Sequence, residues 1–156
     1  MAKSPLTLAQ LSPVAEGHRL KLRVSAKTYA QLKPSRQMVE DAVGRGEVVY
    51  GLTTGFGKLK NIAVSPKDLH DLQRNLVLSH CVGSGPDMPL HEARLVVLLR
   101  IASVLRGVSG VRPSLVRRLV EFFNSDLIPA IPQQGSVGAS GDLAPLSHMA
   151  AAWMGH

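Results

Sequence analysis

The run Leu90–Arg106, LHEARLVVLLRIASVLR, most constrains what this chain can fold into. Wound as a helix it is apolar on most sides, and such a helix is stable only when other elements surround it. It is expected to be the central buried helix of a mainly α structure. The stretch Leu95–Leu105 is interrupted by Arg100 and is too short to span a bilayer. Aromatic residues make up only 4% of the chain, so the core must be built from Leu, Val, Ile and Ala. A length of 156 residues suffices for one domain with a real core.

The flanking segments supply further helices. Lys27–Val43 reads as helix with a break near Pro34, with Leu32, Met38, Val39 and Val43 as core contacts and a stop at Gly44-Arg45-Gly46. Ser65-Pro66-Lys67-Asp68 reads as a helix start, Ser65 capping and Pro66 at the first helical position. Leu69, Leu72, Leu76 and Val77 follow at helical spacing, which puts His80 on or near the apolar stripe before Gly83 and Gly85 stop the helix. Pro113 opens another helix carrying Leu115, Leu119, Phe122 and Phe123, and Leu143–Met154 reads as the last. The alternation in Arg19–Val24 predicts a short strand. The expectation is four or five helices with a small β element, and the last helix ending at His156 without a following partner suggests a fragment.

Charge and cysteine content narrow the function classes. The net charge of +7 raises nucleic acid as a partner, but the basic residues, among them Lys58, Lys60, Arg74, Arg94, Arg117 and Arg118, are scattered. No aromatics interleave with them, as a base-stacking surface would need. Neither nucleic acid nor membrane is expected as a partner. A lone cysteine, Cys81, excludes an internal disulfide framework and suits a reducing compartment. The N-terminal MAKSPLTLAQLSP lacks the apolar core of a signal peptide, so a cytoplasmic location is expected. The six histidines form no H-x-x-x-H pair or zinc-like spacing, and no metal is expected.

Two glycine-rich segments carry the candidate chemistry. Gly51–Lys58 has five residues between its outer glycines where a phosphate loop needs four, and Leu59 follows the lysine in place of Ser or Thr. Gly135, Gly138 and Gly141 are spaced unlike a dinucleotide fingerprint and open no βαβ unit. A serine elbow centred on Ser140 would need glycine where Asp142 stands, and His148 would lie about two helical turns away. Chemistry on the loop backbone itself remains.

The segment Gly135–Ser147, GSVGASGDLAPLS, resembles the signature of the aromatic amino acid ammonia-lyases. A second block, Tyr50–Gly57 (YGLTTGFG), resembles that family's tyrosine loop, with Thr53 where asparagine is common. A third, Asn75–His80 (NLVLSH), resembles the histidine-specific members, in which Ser-His occupies the selectivity position. On the residues alone, Tyr50 equally well packs at a strand end, and His80 is equally a hydrogen-bonded helix-end histidine.

The resemblance implies a self-made cofactor, methylidene-imidazolone (MIO), formed from Ala139-Ser140-Gly141 with loss of two waters, and no external cofactor. Gly141, lacking a side chain, lets its amide nitrogen approach the Ala139 carbonyl. It further implies Tyr50 as catalytic base, His80 as a substrate-binding residue and Asp142 as a supporting residue, whose two open roles are capping the last helix and assisting ring formation. The implied reaction is removal of ammonia from an amino acid, L-histidine giving urocanate, in a homotetramer. The chain would be a single N-terminal MIO-bearing region, residues 1–156. The family's long C-terminal helical bundle and further substrate-binding groups would lie beyond His156. Such a region alone is expected to be inactive and to associate, because Leu95–Leu105 would lack surface to bury against. The alternatives are a lyase or aminomutase acting on phenylalanine or tyrosine, and a noncatalytic interaction module.

Overall fold

The computed structural model describes residues 6–55, 64–65, 67–138 and 141–156. These hold seven helices, α1 (Leu8–Ala15), α2 (Ala26–Ala30), α3 (Lys33–Gly44), α4 (Leu69–Ser79), α5 (Leu90–Val104), α6 (Pro113–Asn124) and α7 (Leu143–Met154). One two-stranded sheet pairs β1 (Ser84–Asp87) with β2 (Pro132–Gln134). The mainly α expectation holds, with more and shorter helices than the four or five foreseen. No helix among the described residues is long and apolar enough to cross a membrane. The chain divides into two compact units, residues 1–37 with 87–131 and residues 38–86 with 132–156.

In the first unit α5 is the central helix. It packs against α1 and α6 and buries Ala93, Val97, Leu98, Ile101 and Val104. Val14 of α1 and Val116, Leu119, Val120 and Phe123 of α6 are buried as well. Each of the valine, leucine, isoleucine and phenylalanine side chains among them contributes about 1.5–3 kcal/mol when fully removed from water. Much of Leu95–Leu105 is therefore covered within the chain, contrary to the expectation that it lacks partner surface. Only Leu99 and two polar neighbours, Arg100 and Ser103, stay exposed there.

The strand expected over Arg19–Val24 is not formed. Instead one side chain substitutes for a neighbouring strand at Leu22. The Leu22 N–H donates to Asn124 Oδ1 at 2.7 Å, and Asn124 Nδ2 donates back to the Leu22 carbonyl at 2.9 Å. Beside it Arg94, 4% exposed, donates to Asp126 Oδ1 at 2.6 Å, and Arg19 reaches Asp126 Oδ2 at 2.8 Å. Asp126 adopts φ 60°, a left-handed conformation that aspartate tolerates better than most residues.

In the second unit α7 packs against α4 and β2. The helix expected from Ser65 begins only at Leu69. Ser65 Oγ donates to the Asp68 carboxylate at 2.9 Å, and the Asp68 N–H closes a turn on the Ser65 carbonyl, so a turn precedes the helix. Pro66 lies outside the described residues. The bounds of α7 match the sequence expectation, and Gly155 ends it at φ 90°. The break expected near Pro34 falls at Gln31-Leu32, leaving Pro34 in the first turn of α3, where its missing N–H costs nothing. Of the expected core contacts, Leu32 is buried while Met38 is 71% exposed.

Candidate active site

The described residues singled out by the sequence all belong to the second unit: Tyr50, His80, Gly141 and Asp142. Ala139 and Ser140, the other two residues of the expected MIO tripeptide, lie outside the described residues, as do Phe56, Gly57, Lys58 and Lys60.

Tyr50 sits in a turn held by two threonine hydroxyls. Thr53 Oγ1 accepts from the Val49 N–H at 2.8 Å and donates to the Glu47 carbonyl at 2.7 Å. Thr54 Oγ1 accepts from the Gly51 N–H at 3.3 Å. Both threonines are buried, at 5% and 0% exposure. The departure at Thr53 is thus accommodated locally: a hydroxyl both accepts and donates, as an asparagine carboxamide would. Tyr50 itself is 64% exposed. Gln73 of α4 donates to the Leu52 carbonyl at 3.5 Å, a long contact between this turn and the helix that ends at His80.

His80 is the C-terminal cap residue of α4. Its Nδ1 lies 2.6 Å from the Leu76 carbonyl, which can only accept, so Nδ1 carries the proton. In the neutral ring Nε2 is then the acceptor nitrogen. The next residue, Cys81, donates its thiol to the Val77 carbonyl at 3.3 Å, and burial raises the thiol pKa above its ordinary value.

The glycine-rich loop is clipped at its base. Ser136 Oγ donates a short hydrogen bond to Asp142 Oδ1 and accepts from the Gly138 N–H at 3.2 Å. Asp142 occupies the position before α7, but its side chain makes no capping bond to that helix. Asp142 is thus the N-cap residue of α7, as expected, but its carboxylate is taken by Ser136 across the loop. Gly141 has φ 143°, a conformation that side chains rarely adopt, and a Cβ added there would meet none of the described residues beyond its chain neighbours within 4 Å.

The two arms meet through a pair of glycines. A Cβ on Gly135 would lie 3.0 Å from Gly83 Cα and 3.1 Å from Ala144 Cβ. A Cβ on Gly83 would lie 3.0 Å from His148 Nε2 and 3.1 Å from Pro132 Cβ. The Gly83 N–H donates to His148 Nε2 at 3.0 Å. Sequence reasoning treated His148 only as a remote base and missed this contact. Its only sequence signal is a histidine on the face of α7 that follows the loop.

The model of the aromatic amino acid lyase family matches residues 6–156. The chain belongs to the aromatic amino acid lyase family. Histidine ammonia-lyase of Halalkalibacterium halodurans is 46% identical over 131 residues, which is 84% of this chain and 26% of that protein. Histidine ammonia-lyase of Paracidovorax citrulli is 45% identical over 150 residues, 96% of this chain and 29% of that protein. Among solved structures, tyrosine aminomutase from Streptomyces globisporus superposes with a TM-score of 0.89 at 38% identity, covering 97% of this chain and 28% of that one. This lyase-family chain thus spans less than a third of the length of the relatives it matches.

Proposed function

We propose that the intact natural protein is a histidine ammonia-lyase, converting L-histidine to urocanate and ammonia. The observation that carries this is the Ser79-His80 pair at the end of α4, in a lyase-family chain whose curated relatives are named for that activity. The tripeptide Ala139-Ser140-Gly141 is the stock from which MIO would form, and the open backbone at Gly141 fits it. When formed, that group supplies an electrophilic carbon for the amino group, which no ordinary side chain provides.

The chain's own residues take the remaining work. Tyr50, 64% exposed here, takes the β-proton as the catalytic base. His80, with Nδ1 tied to Leu76, presents its ring at a fixed angle toward the substrate side chain. The start of α7 directly follows the loop, and its positive end favours negative charge developing there. Asp142 and Ser136 hold the loop closed at its base. In this reading the enzyme is a cytoplasmic homotetramer, and the solvent-facing Tyr50 is covered by other parts of the assembly.

The structural likeness to a tyrosine aminomutase favours one second reading, a mutase that returns the amino group to the β-carbon. Two measurements on the intact protein decide. The peptide carrying Ser140 is expected to be lighter by two waters, and an unchanged mass there defeats the MIO assignment. L-histidine is expected to give urocanate with free ammonia, a preference lost in His80→Leu; a β-amino acid product with ammonia retained supports the mutase.

A further inference from the structure

We propose that His148 is a positioning residue for substrate selection, holding the His80-bearing turn in register with the glycine loop. The proposal rests on the histidine-lyase reading above and adds a residue that the reading does not use.

The turn after α4 is bonded residue by residue. The His80 N–H donates to the Val77 carbonyl, Cys81 to Leu78 and Val82 to His80, at 2.9–3.2 Å. Gly83 is the next amide, and its acceptor among the described residues comes from another element, Nε2 of His148 on α7 at 3.0 Å. That acceptor fixes the tautomer: Nε2 is unprotonated and the neutral ring carries its proton on Nδ1. The direction of the α4 exit is therefore set from α7, three residues beyond the selectivity position.

The same point is a steric lock. Gly83 is packed so tightly that a Cβ would meet His148 Nε2 and Pro132 Cβ, and Gly135 faces the Gly83 Cα with equal closeness. Gly135 opens the glycine loop, and His148 lies on the helix that closes it. One imidazole thus ties the selectivity turn to the segment expected to carry the electrophile. A shift of His80 relative to that segment would misplace the substrate side chain while leaving the loop's own chemistry intact. Such an error appears in KM for the matching substrate rather than in kcat.

The test compares three forms of the intact protein: unsubstituted, His148→Gln, whose amide oxygen reaches a similar place, and His148→Phe, which keeps the ring but has no acceptor. His148→Phe is expected to raise KM for L-histidine roughly tenfold, the factor one hydrogen bond is worth, with kcat changed much less. His148→Gln is expected to stay close to the unsubstituted protein. In parallel, amide exchange at Gly83 should be fast in His148→Phe and slow in the other two. Equal KM values in all three forms, or a loss in His148→Gln as large as in His148→Phe, overturns the proposal. If kcat collapses with KM in both variants, the role is merely structural and the proposal also fails. Should the unsubstituted protein not turn over L-histidine, the functional reading falls instead, and Gly83 exchange alone decides whether His148 holds the turn.

Discussion

At the scale of single residues, Thr53 shows how one hydroxyl can hold a turn, here the one that carries Tyr50. Its Oγ1 bridges the Val49 N–H and the Glu47 carbonyl from a buried position. Thr53→Val keeps the shape but removes both bonds, and neither backbone group can recover the lost partner within the turn. The expected cost is about 1 kcal/mol, because Glu47 and Val49 are partly open to water and only part of the desolvation penalty applies. Amide exchange at Val49 should accelerate about fivefold, the factor set by that free energy. Unchanged exchange would show that the hydroxyl does not hold the turn. Tyr50, His80 and Asp142 were singled out from motifs, in which residue type and spacing are read within a short stretch. The roles of Thr53, Gly83 and His148 were not legible in that way. They depend on which atoms meet after folding, and Gly83 and His148 lie 65 residues apart.

At the scale of elements, local punctuation was readable and partnership was not. The start and stop of α7 and the proline that opens α6 follow from groups within one helical turn, so the sequence places them well. The alternation of Arg19–Val24 describes one face of a strand but says nothing of whether a second strand lies beside it. Here the partner is the Asn124 carboxamide, 102 residues away from Leu22. Asn124→Ala leaves the N–H and carbonyl of the buried Leu22 unmatched, for an expected loss of about 1–2 kcal/mol in urea unfolding. Asn124→Asp is the sharper contrast. Its carboxylate still accepts from the Leu22 N–H but repels the Leu22 carbonyl, so it should recover part of the acceptor bond and none of the donor bond. Equal losses for the two variants would mean that the amide pairing with the Leu22 N–H contributes nothing.

At the scale of the molecule, each compact unit carries one weakly acidic group whose neutral form is favoured by folding. In the first unit burial raises the Tyr29 phenol, opposed in part by Arg117, whose guanidinium lies 4.6 Å above the ring. In the second unit burial raises the Cys81 thiol. A raised folded pKa means that the unfolded chain releases its proton first as pH rises. The stabilising contribution is therefore fully present below the ordinary pKa of each group and is lost as pH rises through the raised value. Free thiols ionise near pH ~8.5 and phenols near ~10, so the second unit should weaken at lower alkaline pH than the first. Amide exchange between pH 7 and 11, corrected for its intrinsic pH dependence, should show that order. Cys81→Ala should flatten the response of the second unit alone, and Tyr29→Phe, which keeps the ring beneath Arg117, that of the first. If Cys81→Ala leaves the second unit's alkaline loss unchanged, the thiol is not its source.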